Sequence, residues 1–150
     1  VSEVFFYHLQ QQPLEAVLPR LLDKSRERGW RALVRVGSEE RLAALDDHLW
    51  TFADESFLAH GSDREADAQE HPILLTTGEA NRNGAAILFL VAGAPVPPDL
   101  SPYQRVMYLL DGSDEEAVAG GRKVFRTLRD AGHDLSYWQQ DEEGRWSKRG

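Results

Sequence analysis

The chain opens on an apolar and aromatic run, Val4 to Leu9, of the length of a buried strand. Pro13, after three glutamines, suits the first turn of a helix. Leu14, Val17, Leu18, Leu21 and Leu22 then recur on one helical face, while Glu15, Arg20, Asp23, Lys24, Arg26, Glu27 and Arg28 mostly take the other. Pro19 lies inside that pattern. An internal proline costs a helix about 3 kcal/mol, so a kink or a late start is expected there. Gly29 is placed to stop the helix, and Trp30 to Val36 reads as a second strand. Ser38 then caps a second helix with Leu42, Leu45 and Leu49 on its apolar face.

That helix delivers Trp50 to an aromatic stretch, Leu49 to His60, which also holds Phe52 and Phe57. Three large rings at a helix-to-strand junction are either core anchors or a partner-binding edge. Gly61 to Glu70 is polar and reads as a solvated loop. Ile73 to Thr77 and Ala85 to Val91 are central strands separated by a polar turn over Gly78 to Gly84. Gly93 to Pro98 is an extended loop, and Val106 to Leu110 makes another strand, ending at Asp111-Gly112.

The last helix is the best specified. Ser113 to Glu116 matches a capping box, Ala117, Val118, Gly121, Val124, Phe125 and Leu128 form one apolar face, and Gly132 ends it. Leu135 to Gln140 and Arg145 to Lys148 close the chain as a hairpin. Strands alternating with helices predict an α/β fold with a mostly parallel central sheet and helices on both faces, in one domain over residues 1–150.

Composition narrows the chemistry. No window approaches the ~20 apolar residues of a transmembrane helix, and no basic region precedes the first apolar residues, so a cytoplasmic protein without membrane contact is expected. Zero cysteines exclude disulfides, thiolate zinc sites and cysteine nucleophiles. With 17 basic against 25 acidic residues, net −8, no direct nucleic-acid binding is expected.

Catalytic signatures are missing. No glycine-rich phosphate loop follows the first strand, so a nucleotide-binding or hydrolytic domain using the strand ends near Gly78 to Gly84 rests on fold analogy alone. His8, His48, His60, His71 and His133 have no metal-ligand spacing and read as strand-end or surface residues; no cofactor is expected. Asp54, Ser56 and His60 supply the residue types of a hydrolase triad but lie on one local segment without a nucleophile elbow. Binding chemistry remains. Arg122, Arg126 and Arg129 form a basic stripe beside Val118 and Phe125, which is either a solvated helix face or a groove for an acidic peptide ending in an apolar residue. Gly120-Gly121 inside the helix is costly unless it permits close backbone approach or forms a pocket wall.

The chain resembles the chi subunit family of bacterial DNA polymerase III from Val4 to about Trp146. The resemblance is carried by Leu49-Trp50 followed by Glu55-Ser56-Phe57 and His60, with Pro72 to Leu75, Ala85 to Ala94, Tyr108 to Gly112 and Ala131 to Trp138 in the same order. It implies a Rossmann-like three-layer fold and a non-enzymatic adaptor of the clamp-loader complex. It further implies a contact of Trp50 and Phe57, with Phe52 beside them, with the psi subunit, a surface for which helicase-type partners compete in some relatives. A second implied contact is with the acidic C-terminal tail of single-stranded DNA-binding protein, through Arg122 and Phe125, with Val118 lining the pocket and Arg126 continuing the stripe. Relatives carry a lysine where this chain has Val118.

Overall fold

A computed structural model describes residues 3–9, 12–51, 60–62, 67–140 and 145–148, apart from the side chains of Trp50 and Thr51. In chain order it comprises β1 (Glu3–Leu9), α1 (Leu14–Glu27), β2 (Ala32–Val36), α2 (Glu39–Thr51), β3 (His60–Ser62), a short 3-10 helix (Ala68–Glu70), β4 (Ile73–Thr76), β5 (Ile87–Val91), β6 (Arg105–Asp111), α3 (Glu115–Asp130), β7 (Asp134–Gln140) and β8 (Trp146–Lys148). The eight strands form one sheet in the order β3-β4-β2-β5-β6-β1-β7-β8. All neighbours pair in parallel except β7 and β8, which make the antiparallel hairpin at one edge. The fold is therefore mixed α/β with a mostly parallel sheet. Among the described residues no helix is long and apolar enough to cross a membrane.

Strand alternation sorts the core into two clusters. Ala32 and Val34 of β2 and Met107 and Leu109 of β6 join Leu18 and Leu22 of α1 and Leu45 and Leu49 of α2. Leu33 and Val106, from the same strands, join Val4, Phe6, Leu88 and Leu128 of α3. Because successive side chains of a strand point to opposite faces, α1 and α2 pack on one side and α3 on the other. Central β2 and β5 are buried along their whole length, which explains the wholly apolar sequence of β5 and that of β2 apart from buried Arg35, whose guanidinium donates to the Pro95 carbonyl at 2.8 Å.

Several boundaries differ from expectation. Strand β2 starts at Ala32, because half-buried Trp30 is used differently: the guanidinium groups of Arg28 and Arg105 lie 5.1 and 5.3 Å from its ring. Gly61 to Glu70 is not simply a solvated loop. His60, Gly61 and Ser62 are buried and pair with β4, and Ala68 is fully buried. This strand lacks apolar side chains because Gly61 lies against the His71 ring, where a Cβ would collide. At α3 the cap is Asp114, not Ser113. The Asp111 carboxylate holds the Ser113 hydroxyl at 2.6 Å, and Asp114 Oδ1 accepts from Glu116 N and Ala117 N.

Helix α1 starts at Leu14 and continues through Pro19, so the late start does not occur. Proline lacks the N–H that would donate to the carbonyl of Glu15. That carbonyl instead takes a hydrogen bond from His48 Nε2 of α2 at 2.7 Å. A neighbouring helix thus supplies the donor that the sequence removes.

Two consequences are measurable by chemical denaturation. His48→Ala should cost about 1 kcal/mol in wild type and markedly less in Pro19→Ala, whose amide can reach Glu15 itself; strictly additive effects would refute the replacement. Helix α3 sits so close to β6 that a Cβ on Gly121 would lie 2.8 Å from Leu110 Cδ2, whereas one on Gly120 meets open space. Gly121→Val should therefore destabilise by about 1–3 kcal/mol, and Gly120→Ala should stabilise by about 0.5–1 kcal/mol.

Candidate functional site

The close seating of α3 leaves a small cleft of about 290 Å³ at the carboxyl end of β1, lined by His8, Gly112, Glu115, Val118, Ala119 and Arg122. The helix contributes residues at i, i+3, i+4 and i+7, the spacing of a single face. Of the residues predicted from the sequence, Val118 and Arg122 meet in this cleft. Arg122 is exposed and has no hydrogen bond or ion pair among the described residues.

Phe125 stands one turn further along, half-buried, with its ring edge-on to Phe6 at 5.1 Å and to Tyr137 at 5.9 Å. It flanks the cleft and braces α3 on the sheet. Arg126 is exposed and outside the lining, and Arg129 pairs with Asp130 at 3.7 Å. The basic stripe thus contributes one arginine to the cleft.

His8 is a floor residue that the sequence did not single out. It stands at the carboxyl end of β1, a strand-end residue as expected, but it is only 6% exposed and so not a surface one. Its Nδ1 lies 2.9 Å from the Tyr137 hydroxyl and 3.1 Å from Gln139 Nε2, both on β7. An amide nitrogen can only donate, so Nδ1 accepts and the proton of the neutral ring resides on Nε2. That Nε2 is buried and has no hydrogen-bond partner. Burial, and secondarily the Arg122 charge, push the imidazole below its ordinary pKa. Burial raises the Tyr137 phenol, an effect that Arg122 partly offsets.

Other predicted positions behave differently. Phe52 and Phe57 lie outside the described residues, as does the Trp50 side chain, although the Trp50 backbone belongs to α2. His60, the first residue of β3 and thus a strand-end histidine, is 2% exposed rather than on the surface and bonds through Nε2 to Asp46 Oδ1 at 2.8 Å, a structural tie between β3 and α2. Asp54 and Ser56, which would complete a triad with it, are outside the described residues.

Gly78 and Gly84 do not converge. Gly78 N bonds Thr76 Oγ1 at the carboxyl end of β4, whereas Asn83, beside Gly84, donates to the carbonyls of His71 and Ala32 at the amino ends of β4 and β2. The larger cleft at the carboxyl ends of β1 and β6, about 700 Å³, presents Glu15, Asp111, Asp114 and Glu116 against Arg41, a charge set that repels phosphate.

The His8 environment has a pH signature. Its folded pKa is depressed, so below about pH 6.5 the unfolded chain takes up the proton first, and His8 removes stability as pH falls through that range. Melting temperatures at pH 7.5 and 5.5 should therefore fall further for wild type than for His8→Gln. Equal losses would contradict this assignment.

Comparison with known proteins gives the family. The family model of the DNA polymerase III chi subunit, HolC, matches residues 1–136. The DNA polymerase III subunit chi of Pseudomonas aeruginosa PAO1 is 31% identical over 117 residues, 77% of this chain and 79% of that protein. A probable DNA polymerase III subunit chi of Rickettsia prowazekii is 23% identical over 106 residues, which is 71% of this chain but only 62% of the length of that relative. With a family match across most of its length and a relative above 30% identity, the chain belongs to the DNA polymerase III chi subunit family.

Proposed function

We propose that residues 1–150 form one Rossmann-like three-layer domain acting in the cytoplasm as a non-enzymatic accessory subunit of bacterial DNA polymerase III. In this reading it sits in the clamp-loader complex and links the psi subunit to the acidic C-terminal tail of single-stranded DNA-binding protein. Family membership supports the assembly. The observation that carries the tail contact is Arg122, without an ion-pair partner among the described residues, beside apolar Val118 in a cleft on an acidic protein.

An arginine pairs well with a carboxylate in bidentate geometry, and the half-buried Phe125 ring offers an apolar wall for a hydrophobic terminus. Arg126, one turn further on, adds longer-range attraction for the acidic part of the tail. Trp50, Phe52 and Phe57 are the residues for psi, or for a helicase-type partner competing at that surface. The domain uses no cofactor and touches neither nucleic acid nor membrane directly.

Titration of a labelled aspartate-rich peptide ending in phenylalanine tests the tail contact. Arg122→Ala should weaken binding by at least ~10-fold, because a charge-assisted hydrogen bond is worth about 1.5–3 kcal/mol, while Arg126→Ala should cost only about twofold, as an exposed charge does. Both variants should keep the wild-type circular dichroism spectrum. No binding to wild type at low salt would reject the tail reading.

A further inference from the structure

We propose that His8 is a specificity-determining residue of the Arg122 cleft: its neutral Nε2–H seats one oxygen of a ligand carboxylate while the Arg122 guanidinium takes the charge. The ligand, a peptide with a free terminal carboxylate, rests on the tail reading above; the seat itself rests on geometry. The two β7 contacts, Tyr137 hydroxyl and Gln139 amide, fix Nδ1 as the acceptor and leave the proton on Nε2. The ring is held edge-on against Tyr137, centroids 6.0 Å apart and planes at 89°.

Gly112 completes the cradle. A Cβ there would lie 2.5 Å from His8 Nε2 and Cδ2, so only a glycine lets the ring take that space with its Nε2 edge along the Gly112 backbone, and both residues line the cleft. A buried N–H without an acceptor is costly in a folded protein, and a ligand oxygen removes that cost on binding. The donor needs no protonation, since burial and Arg122 keep the ring neutral.

The charged neighbours define the orientation. Arg122 attracts the carboxylate, whereas Glu115 on the same wall repels it, so the ligand's terminus sits toward the Arg122 and His8 side and its apolar group toward Val118. Neutral Tyr137 and Gln139 lie behind the imidazole and hold it in place.

The test compares the aspartate-rich peptide as free acid and as C-terminal amide, against wild type, His8→Phe and His8→Gln. His8→Phe should weaken the free acid about tenfold and change the amide by less than about twofold, as expected for loss of a hydrogen bond to a charged group. His8→Gln, which keeps an N–H donor in the same region, should recover most of that loss, a rescue that a purely structural role does not give.

In parallel, nitrogen-15 NMR of the wild-type imidazoles should show a protonated Nε2, with its proton shifting downfield on addition of N-acetyl-phenylalanine and not of the corresponding amide. This measurement stands even where His8→Phe fails to fold. A movement of Nε2 by the small acid without peptide binding keeps the seat and rejects the tail. Peptide binding that is unchanged in His8→Phe, with Nε2 unmoved, keeps the tail and overturns the seat. No response to either ligand overturns both.

Discussion

Register along β1 is the constraint from which the rest of the fold and the cleft follow. The strand pairs in parallel on both sides, Phe6 opposite Tyr108 of β6 and Tyr137 of β7, and His8 opposite Leu110 and Gln139. This alternation sends Val4, Phe6 and His8 toward α3 and Phe5 and Tyr7 toward the other face. Slipping β1 by one residue would exchange the two sets, taking the imidazole out of the cleft and placing Tyr7 under α3. Pairing on both sides, with Phe6 stacked on Tyr108 and edge-on to Phe125, makes such a slip expensive.

The helix laid over that strand is held by shape as much as by apolar contact. Gly121 lets α3 approach Leu110, and Gly112 leaves room for the His8 ring. The exposed part of α3 is then free to carry charge. Arg122 brings a cation to the mouth of a cleft whose floor is a neutral donor, on a chain of net charge −8. Local arrangement and global charge thus act in opposite directions. An anionic ligand entering the cleft would be repelled at long range and attracted at short range, so added salt would weaken the attraction less than it would for a uniformly basic surface.

How much of this was legible in the sequence depends on whether the signal was local. Helix α3 announces itself by periodicity and strands β4, β5 and β6 by apolar runs of strand length, and Val118 and Arg122 fall on one face by helical spacing alone. Strand β3 carries no such signal, because its burial is supplied by the His71 ring and by the His60 tie to Asp46. The move of the cap from Ser113 to Asp114 depends on what Asp111 does with the serine hydroxyl. His8 could not be singled out, since its role requires β7, more than a hundred residues away, to lie beside β1. Phe125 follows Arg122 by three positions on the helix, but its commitment to Phe6 and Tyr137 appears only in three dimensions.

The bond from His48 to the Glu15 carbonyl has an evolutionary side. It is made to a main-chain oxygen, so residue 15 can change freely without disturbing it, while residues 19 and 48 share one task. A lineage that loses the proline restores the helix's own donor and releases position 48 from selection for a ring nitrogen. A lineage that keeps the proline needs a hydrogen-bond donor at 48. Correlated replacement of these two positions, with drift at the residue whose oxygen they serve, is the trace such a repair leaves in a family.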